Sequence, residues 1–238
     1  MILIIHPFDK TTTTLNRIVN YVAANFYDLT EHFNIYPNDR SRQLCLQKIQ
    51  KYPKENFIIF LGHGRSDCLY GSKGKLYDSR TFASSDAIAE SPEDYYYNEK
   101  FVDESNYCIF QGRKLFCLAC NSSELGEKLI KCGAEAFIGF GALPTSKSEF
   151  KDKGIIASEK LISSMKGEIN YIIKKSIVHA LKYNYTFEKL KNIIEFITNQ
   201  RIVFILSTKN RHRYVLAYQL YCLKRDMIVL GNKKAHLI

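Results

Sequence analysis

The sequence predicts an α/β protein with a mostly parallel sheet, and three observations carry that reading. Short uninterrupted apolar runs recur at residues 2–6, 57–62, 115–119 and 134–140, the pattern of strands buried on both faces. Segments of helical period separate several of these runs, and strand–helix alternation implies right-handed crossovers and parallel neighbours. From Gly154 onward the pattern turns helical until a last apolar run, Met227-Ile-Val-Leu230, which ends on Gly231-Asn.

Taken in order, Ile2-Leu-Ile-Ile-His6 is a buried strand ended by Pro7. Thr11 to Thr14 supply helix caps, and Leu15, Ile18, Val19, Val22 and Phe26 then follow a helical period. Phe33-Asn-Ile-Tyr36 reads as a weaker strand with a turn at Pro37-Asn-Asp, and Leu44, Leu46 and Ile49 mark a short helix. Phe57–Gly62 is the next strand. Residues 64–112 are the least regular part, with small strands expected around Cys68-Leu-Tyr and Lys75-Leu-Tyr and an acidic stretch holding Tyr95-Tyr-Tyr97. So long a connection is usually functional or mobile, and part of it is expected to border the site. Leu115–Ala119 is a strand, Glu124–Lys131 a helix and Ala134–Phe140 a strand. Helices follow at 155–165, 169–183, 187–198 and 214–223, while Ile202–Leu206 reads as a strand or as a helical continuation. With no repeat, low-complexity tract or linker, residues 1–238 are expected to form one domain.

Composition narrows the class. No apolar run approaches the ~20 residues that span a bilayer. The seven cysteines are odd in number and scattered, which fits a reducing compartment and a cytoplasmic protein. The net charge of +10 is uneven: residues 1–144 carry −1 and residues 145–238 carry +11. A basic half suits nucleic acid, an anionic membrane or an acidic partner. Here the lysines are spread singly over helices without Arg clusters, so nucleic acid is not expected as a direct ligand.

Two strand ends carry the chemistry. Phe57–Gly62 stops at His63, between two glycines, and Leu115–Ala119 stops at Cys120 just before a helix start. Open α/β sheets place their chemistry at the carboxyl ends of strands. A thiol becomes useful as thiolate, which a helix N-terminus and a neighbouring imidazole both favour. His63 titrates near neutrality and suits a base. Gly64 lets the backbone approach a substrate carbonyl, where its N–H and that of Cys120 would stabilise an oxyanion. Cys117 and Cys120 form a Cys-x-x-Cys, but residues three apart on a strand face opposite sides, so Cys117 is expected in the core unless the strand has already ended. No second such pair exists at metal-site spacing. His6 either borders the site or packs in the core, and His179 is expected in the core.

Phe60-Leu-Gly-His-Gly64 and Leu118-Ala-Cys-Asn-Ser122 resemble the two signature strands of caspase-like cysteine peptidases, closest to the bacterial CHAT-domain branch. The resemblance continues through Gly126–Gly139, with weaker support at Met227–Asn232. It implies a three-layer sandwich, a mostly parallel six-stranded sheet with helices on both faces. It implies an endopeptidase cutting a protein substrate with His63 as base, Cys120 as nucleophile and the Gly64 amide in the oxyanion site, with no metal and no organic cofactor. A role in antiviral defence or regulated cell death follows by the same analogy. Many relatives carry sensor domains that are not visible here, so activation is expected from a separate protein, a bound signal or cleavage. Leu118-Ala119 lacks the Asp that precedes the thiol in metacaspases. Asp9 and Asn121 are the candidate substrate-binding side chains, Asp9 facing a basic group or merely forming a turn beside Lys10. The competing expectation is a non-catalytic binding or scaffold module that uses the basic C-terminal part.

Overall fold

The structure, a computed structural model, describes residues 1–7, 11–36, 38–72 and 100–238. Eight strands and seven α-helices are described: β1 (Ile2–Pro7), α1 (Asn16–Asn25), β2 (Thr30–Ile35), α2 (Asp39–Lys51), β3 (Phe57–Leu61), β4 (Leu69–Tyr70), β5 (Lys100–Val102), β6 (Lys114–Leu118), α3 (Ser122–Lys131), β7 (Ala136–Gly139), α4 (Lys147–Asp152), α5 (Glu159–Lys182), α6 (Phe187–Ser207), α7 (Arg213–Arg225) and β8 (Ile228–Gly231). The main sheet has six strands in the order β2-β1-β3-β6-β7-β8. Its first five are parallel, and β8 runs antiparallel to β7 along the edge.

Side-chain alternation divides the core between two faces. Ile2, Ile4, Phe57, Ile59, Phe116 and Ile138 point toward the helices of the C-terminal half and α1. Leu3, Ile58, Phe60, Leu115, Cys117 and Phe137 point the other way, toward α2 and α3. Both sets are fully buried, which is why β1, β3 and β6 read as continuous apolar runs. The order reverses between β1 and β3, since β1 continues to β2 on one side and the later strands extend on the other. That switch point is where an open sheet leaves a crevice at its carboxyl edge.

The helices differ from expectation in two places. One helix, α5, replaces two: Gly167 sits inside it. A helical glycine costs about 1 kcal/mol relative to alanine, and the buried face from Leu161 through Ile177 outweighs that. Of the two readings open for residues 202–206, the helical continuation holds: they extend α6. A short helix, α4, lies where none was expected, capped by Ser146 Oγ accepting from Glu149 N–H.

Around Cys68, β4 pairs antiparallel with β5. The small strand expected at Lys75-Leu-Tyr, and Tyr95–Tyr97, lie outside the described residues. His179 is exposed rather than in the core, its ring 4.9 Å from that of Tyr183. Among the described residues no helix is long and apolar enough to cross a membrane.

Candidate active site

Strands β3 and β6 are hydrogen-bonded neighbours in register, Leu61 beside Leu118, and the Gly62 N–H donates to the Leu118 carbonyl at 3.2 Å. Two residues further along each strand stand His63 and Cys120. Both line one cavity of about 40 Å³, together with Thr11 and Thr12 from the exit of β1 and Leu143 from the exit of β7. The cavity therefore collects the carboxyl ends of the central strands at the switch point.

The imidazole is tied to β1. Thr11 Oγ1 lies 2.7 Å from His63 Nε2. The turn that presents Thr11 is itself held, because the Thr12 hydroxyl donates to the Pro7 carbonyl at 2.6 Å and His6 Nε2 lies 3.1 Å from the Thr12 carbonyl. His6 is fully buried and its ring stacks on that of His32 at 6.2 Å, so it borders this turn from inside the core. Burial lowers the pKa of His32 and favours its neutral form. Asp9 lies outside the described residues.

The turn after β6 is bound on several sides. Asn121 adopts a left-handed conformation with φ 53°, which an asparagine tolerates better than most residues, and its N–H donates to the Gly141 carbonyl at 3.0 Å. Ser122 is fully buried. Its hydroxyl donates to the Cys117 carbonyl at 2.9 Å and accepts from the Phe140 N–H at 2.9 Å. The turn is thereby joined both to its own strand and to the end of β7.

Cys120 as a residue is half-buried, and its thiol, turned inward, faces two acceptors, the Leu143 carbonyl at 3.4 Å and Glu149 Oε1 at 3.5 Å. The other Glu149 oxygen accepts from the Thr145 N–H at 2.6 Å. Burial first, and then the Glu149 carboxylate, push the Cys120 thiol well above its ordinary range. This reverses the expected effect of the helix N-terminus. The first amides at that end are already used: Ser122 N–H reaches the Ala119 carbonyl at 3.4 Å and Ser123 N–H the Phe140 carbonyl at 2.9 Å. A helix end whose donors are satisfied by backbone has little left to offer a thiolate.

Gly64 and Asn121 do not line the cavity, whereas Gly62 does. At Gly64 a Cβ would lie 3.0 Å from Ala119 Cβ and 3.2 Å from the Cys68 carbonyl oxygen, so a side chain there would press the two strand exits apart. Gly64 pairs with Leu69 across an antiparallel bridge whose two bonds run from Tyr70 N–H to the His63 carbonyl, 3.0 Å, and from Arg65 N–H to the Cys68 carbonyl, 2.9 Å, leaving the Gly64 N–H outside that bridge. Cys117 is fully buried on the opposite sheet face, where burial raises its pKa to about 12. It and Cys120 are separated by the sheet. Among the described residues no three His, Cys, Asp or Glu side chains gather as a metal-ligand set.

Three residues of this neighbourhood are new relative to the sequence reading. Thr11 stood out only as a helix cap. Glu149 had a visible signal, the Ser146-x-x-Glu149 spacing of a capping box, which would have placed a helix start beside the exit of β7. Asn170, in the middle of α5, had none. Comparison with family models, with curated proteins and with solved structures found no match.

Proposed function

We propose that this protein is a caspase-like cysteine endopeptidase of the cytoplasm, with Cys120 as nucleophile and His63 as base. The observation that carries the reading is the placement of an imidazole and a thiol two residues beyond a registered pair on adjacent parallel strands, both facing one cavity. In the proposed cycle a peptide carbonyl seats over Cys120. The thiol proton passes to His63 as sulfur attacks the carbonyl carbon, and the carbonyl π electrons move to oxygen. The tetrahedral anion is held by backbone N–H groups at the strand exits, among which those of Gly64 and Cys120 are the candidates. It collapses with release of the amine, which takes the proton from His63, and water then hydrolyses the thioester.

The raised thiol pKa describes a resting site. Attack requires that the proton leave toward His63 rather than remain facing Glu149, so substrate seating and displacement of the Glu149 carboxylate belong to the same event. A separate activating protein is the natural agent, and a defence or cell-death setting fits a peptidase kept at rest. The test is cleavage of cellular proteins, compared by mapping new N-termini in cells expressing wild type, Cys120→Ala and His63→Ala. New termini confined to the wild type support the proposal; identical termini in all three overturn it.

A second reading, a non-catalytic binding module, is favoured by the same protonated thiol and by the +11 charge of residues 145–238. It expects polyanion binding that weakens steeply with salt and no labelling of Cys120 by electrophilic peptides.

A further inference from the structure

The cavity beside Cys120 is walled on its far side by α5, through Lys166, Ile169 and Asn170. Asn170 is only 3% exposed. Its Nδ2 donates to the Lys166 carbonyl at 2.8 Å, which settles which end of the amide is oxygen. The remaining atom, Oδ1, is buried without a hydrogen-bond partner. A buried acceptor left unmatched is costly, and most such groups are satisfied by protein, water or ligand. The residue carrying it lines the same small cavity as the thiol and also the neighbouring cleft with Thr14, Arg17 and Ser163; the oxygen itself is closed off at rest, so a donor reaches it only when the amide turns toward the cavity.

The rest of the lining restricts what that ligand can be. Leu15, Leu118, Leu143 and Ile169 make the walls largely apolar. At about 40 Å³ the space exceeds that needed for one water, yet is too small for an aromatic ring or a long aliphatic chain. No carboxylate lines it, and Lys166 does, so a lysine or arginine side chain would enter against like charge. A carboxylate side chain would meet the favourable Lys166 charge but would set acceptor oxygens against the Asn170 acceptor and leave it unmatched.

Resting on the peptidase reading above, we propose that this cavity receives the side chain on the acyl side of the scissile bond and selects a short, uncharged hydrogen-bond donor. Serine and threonine fit best, with asparagine at the upper limit of size, and Asn170 Oδ1 accepts the hydrogen bond. Asn170 is then a specificity-determining residue. An analogue lacking the donor leaves the acceptor unmatched again, which is the situation in which sites discriminate most strongly.

The experiment uses the full chain, together with its activator if one proves necessary. Peptides differing only at the acyl-side residue (Ser, Thr, Asn, Ala, Leu, Lys, Asp) are compared by kcat/KM, and matching peptide chloromethyl ketones are compared for labelling of Cys120. Serine is expected to exceed alanine by about 10- to 100-fold, the range of one buried hydrogen bond. In Asn170→Ala that ratio should fall toward one. Because the readout is a ratio within one variant, partial misfolding does not imitate the result. Preference for Lys, Asp or Leu overturns the subsite proposal, as does a Ser-to-Ala ratio that Asn170→Ala leaves intact. If Cys120 is labelled in a His63-dependent way but no donor preference appears, the subsite fails while the peptidase reading survives. If no chloromethyl ketone labels Cys120 and no peptide is cut, both fall.

Discussion

One oxygen of Glu149 lies 3.5 Å from the Cys120 sulfur while the other accepts from the Thr145 N–H at 2.6 Å. The carboxylate is thus fixed by the loop that follows β7 and applied to the thiol from there. Its charge adds to burial in keeping the sulfur protonated.

Replacing Glu149 by glutamine removes the charge and keeps the shape. The negative carboxylate raises the thiol pKa, so its removal lowers it and increases the thiolate fraction at a given pH. Alkylation of Cys120 by iodoacetamide, followed by mass spectrometry across pH 6–10, should rise several-fold at neutral pH in Glu149→Gln. An unchanged profile would show that burial alone sets the thiol.

The buried thiols make stability sensitive to alkali. Burial raises the pKa of Cys45, Cys68, Cys117 and Cys120 in the folded chain. Above the ordinary thiol range of about 8.5, the unfolded chain loses protons that the folded chain retains. The unfolded state then binds fewer protons, and stability falls as pH rises. Urea midpoints at pH 7 and pH 10 should show that fall, and Cys117→Ala should lessen it. A flat profile would contradict the burial of these thiols.

Thr11 serves the imidazole as a positioning residue. Thr11→Val keeps the volume and removes the oxygen 2.7 Å from His63 Nε2. In the peptidase reading kcat drops about tenfold or more, the loss typical of a disturbed general base, with KM little changed and the acid limb of the pH–rate profile displaced. Thr11→Ser should restore most of the rate. Equal loss in both variants would assign Thr11 to the turn rather than to His63.

Gly126 sets how closely α3 lies on the sheet. A Cβ there would stand 2.5 Å from Phe137 Cε1. Helix propensity alone would make alanine better by about 1 kcal/mol, while forcing a methyl into a filled core costs about 1–3 kcal/mol. Gly126→Ala should therefore destabilise the protein in urea unfolding. A stabilised variant would mean that Phe137 can swing aside.

The parallel sheet was legible because strands buried on both faces leave unbroken apolar runs, and β1, β3 and β6 are such strands. The opposite placement of Cys117 and Cys120 followed from the period of two along β6. The surroundings of the thiol were not legible in the same way. Glu149 reaches Cys120 from 29 residues downstream, on a six-residue helix too short to show a period. Thr11 meets His63 across 52 residues, and nothing in a run of four threonines says which one does so. Asn170 sits with Ser176 as a polar interruption of the buried face of α5, and the lack of a partner for its Oδ1 is a property of packing alone. The direction of the Cys120 pKa shift was misjudged for a related reason: burial first and the Glu149 carboxylate second set it, and both are decided by packing rather than by local sequence.

The stitching of Ser122 to Cys117 and Phe140 has a mechanical corollary. With its turn fastened to two strands and Asn121 fastened to Gly141, Cys120 behaves as an anvil: it cannot retreat from its acceptors. Whatever uncovers the sulfur must be done by the opposing jaw, the stretch from Leu143 to Glu149, whose grip on the thiol consists of one carbonyl and one carboxylate. A binder that pries at that stretch from outside would change the surroundings of the thiol without ever entering the cavity.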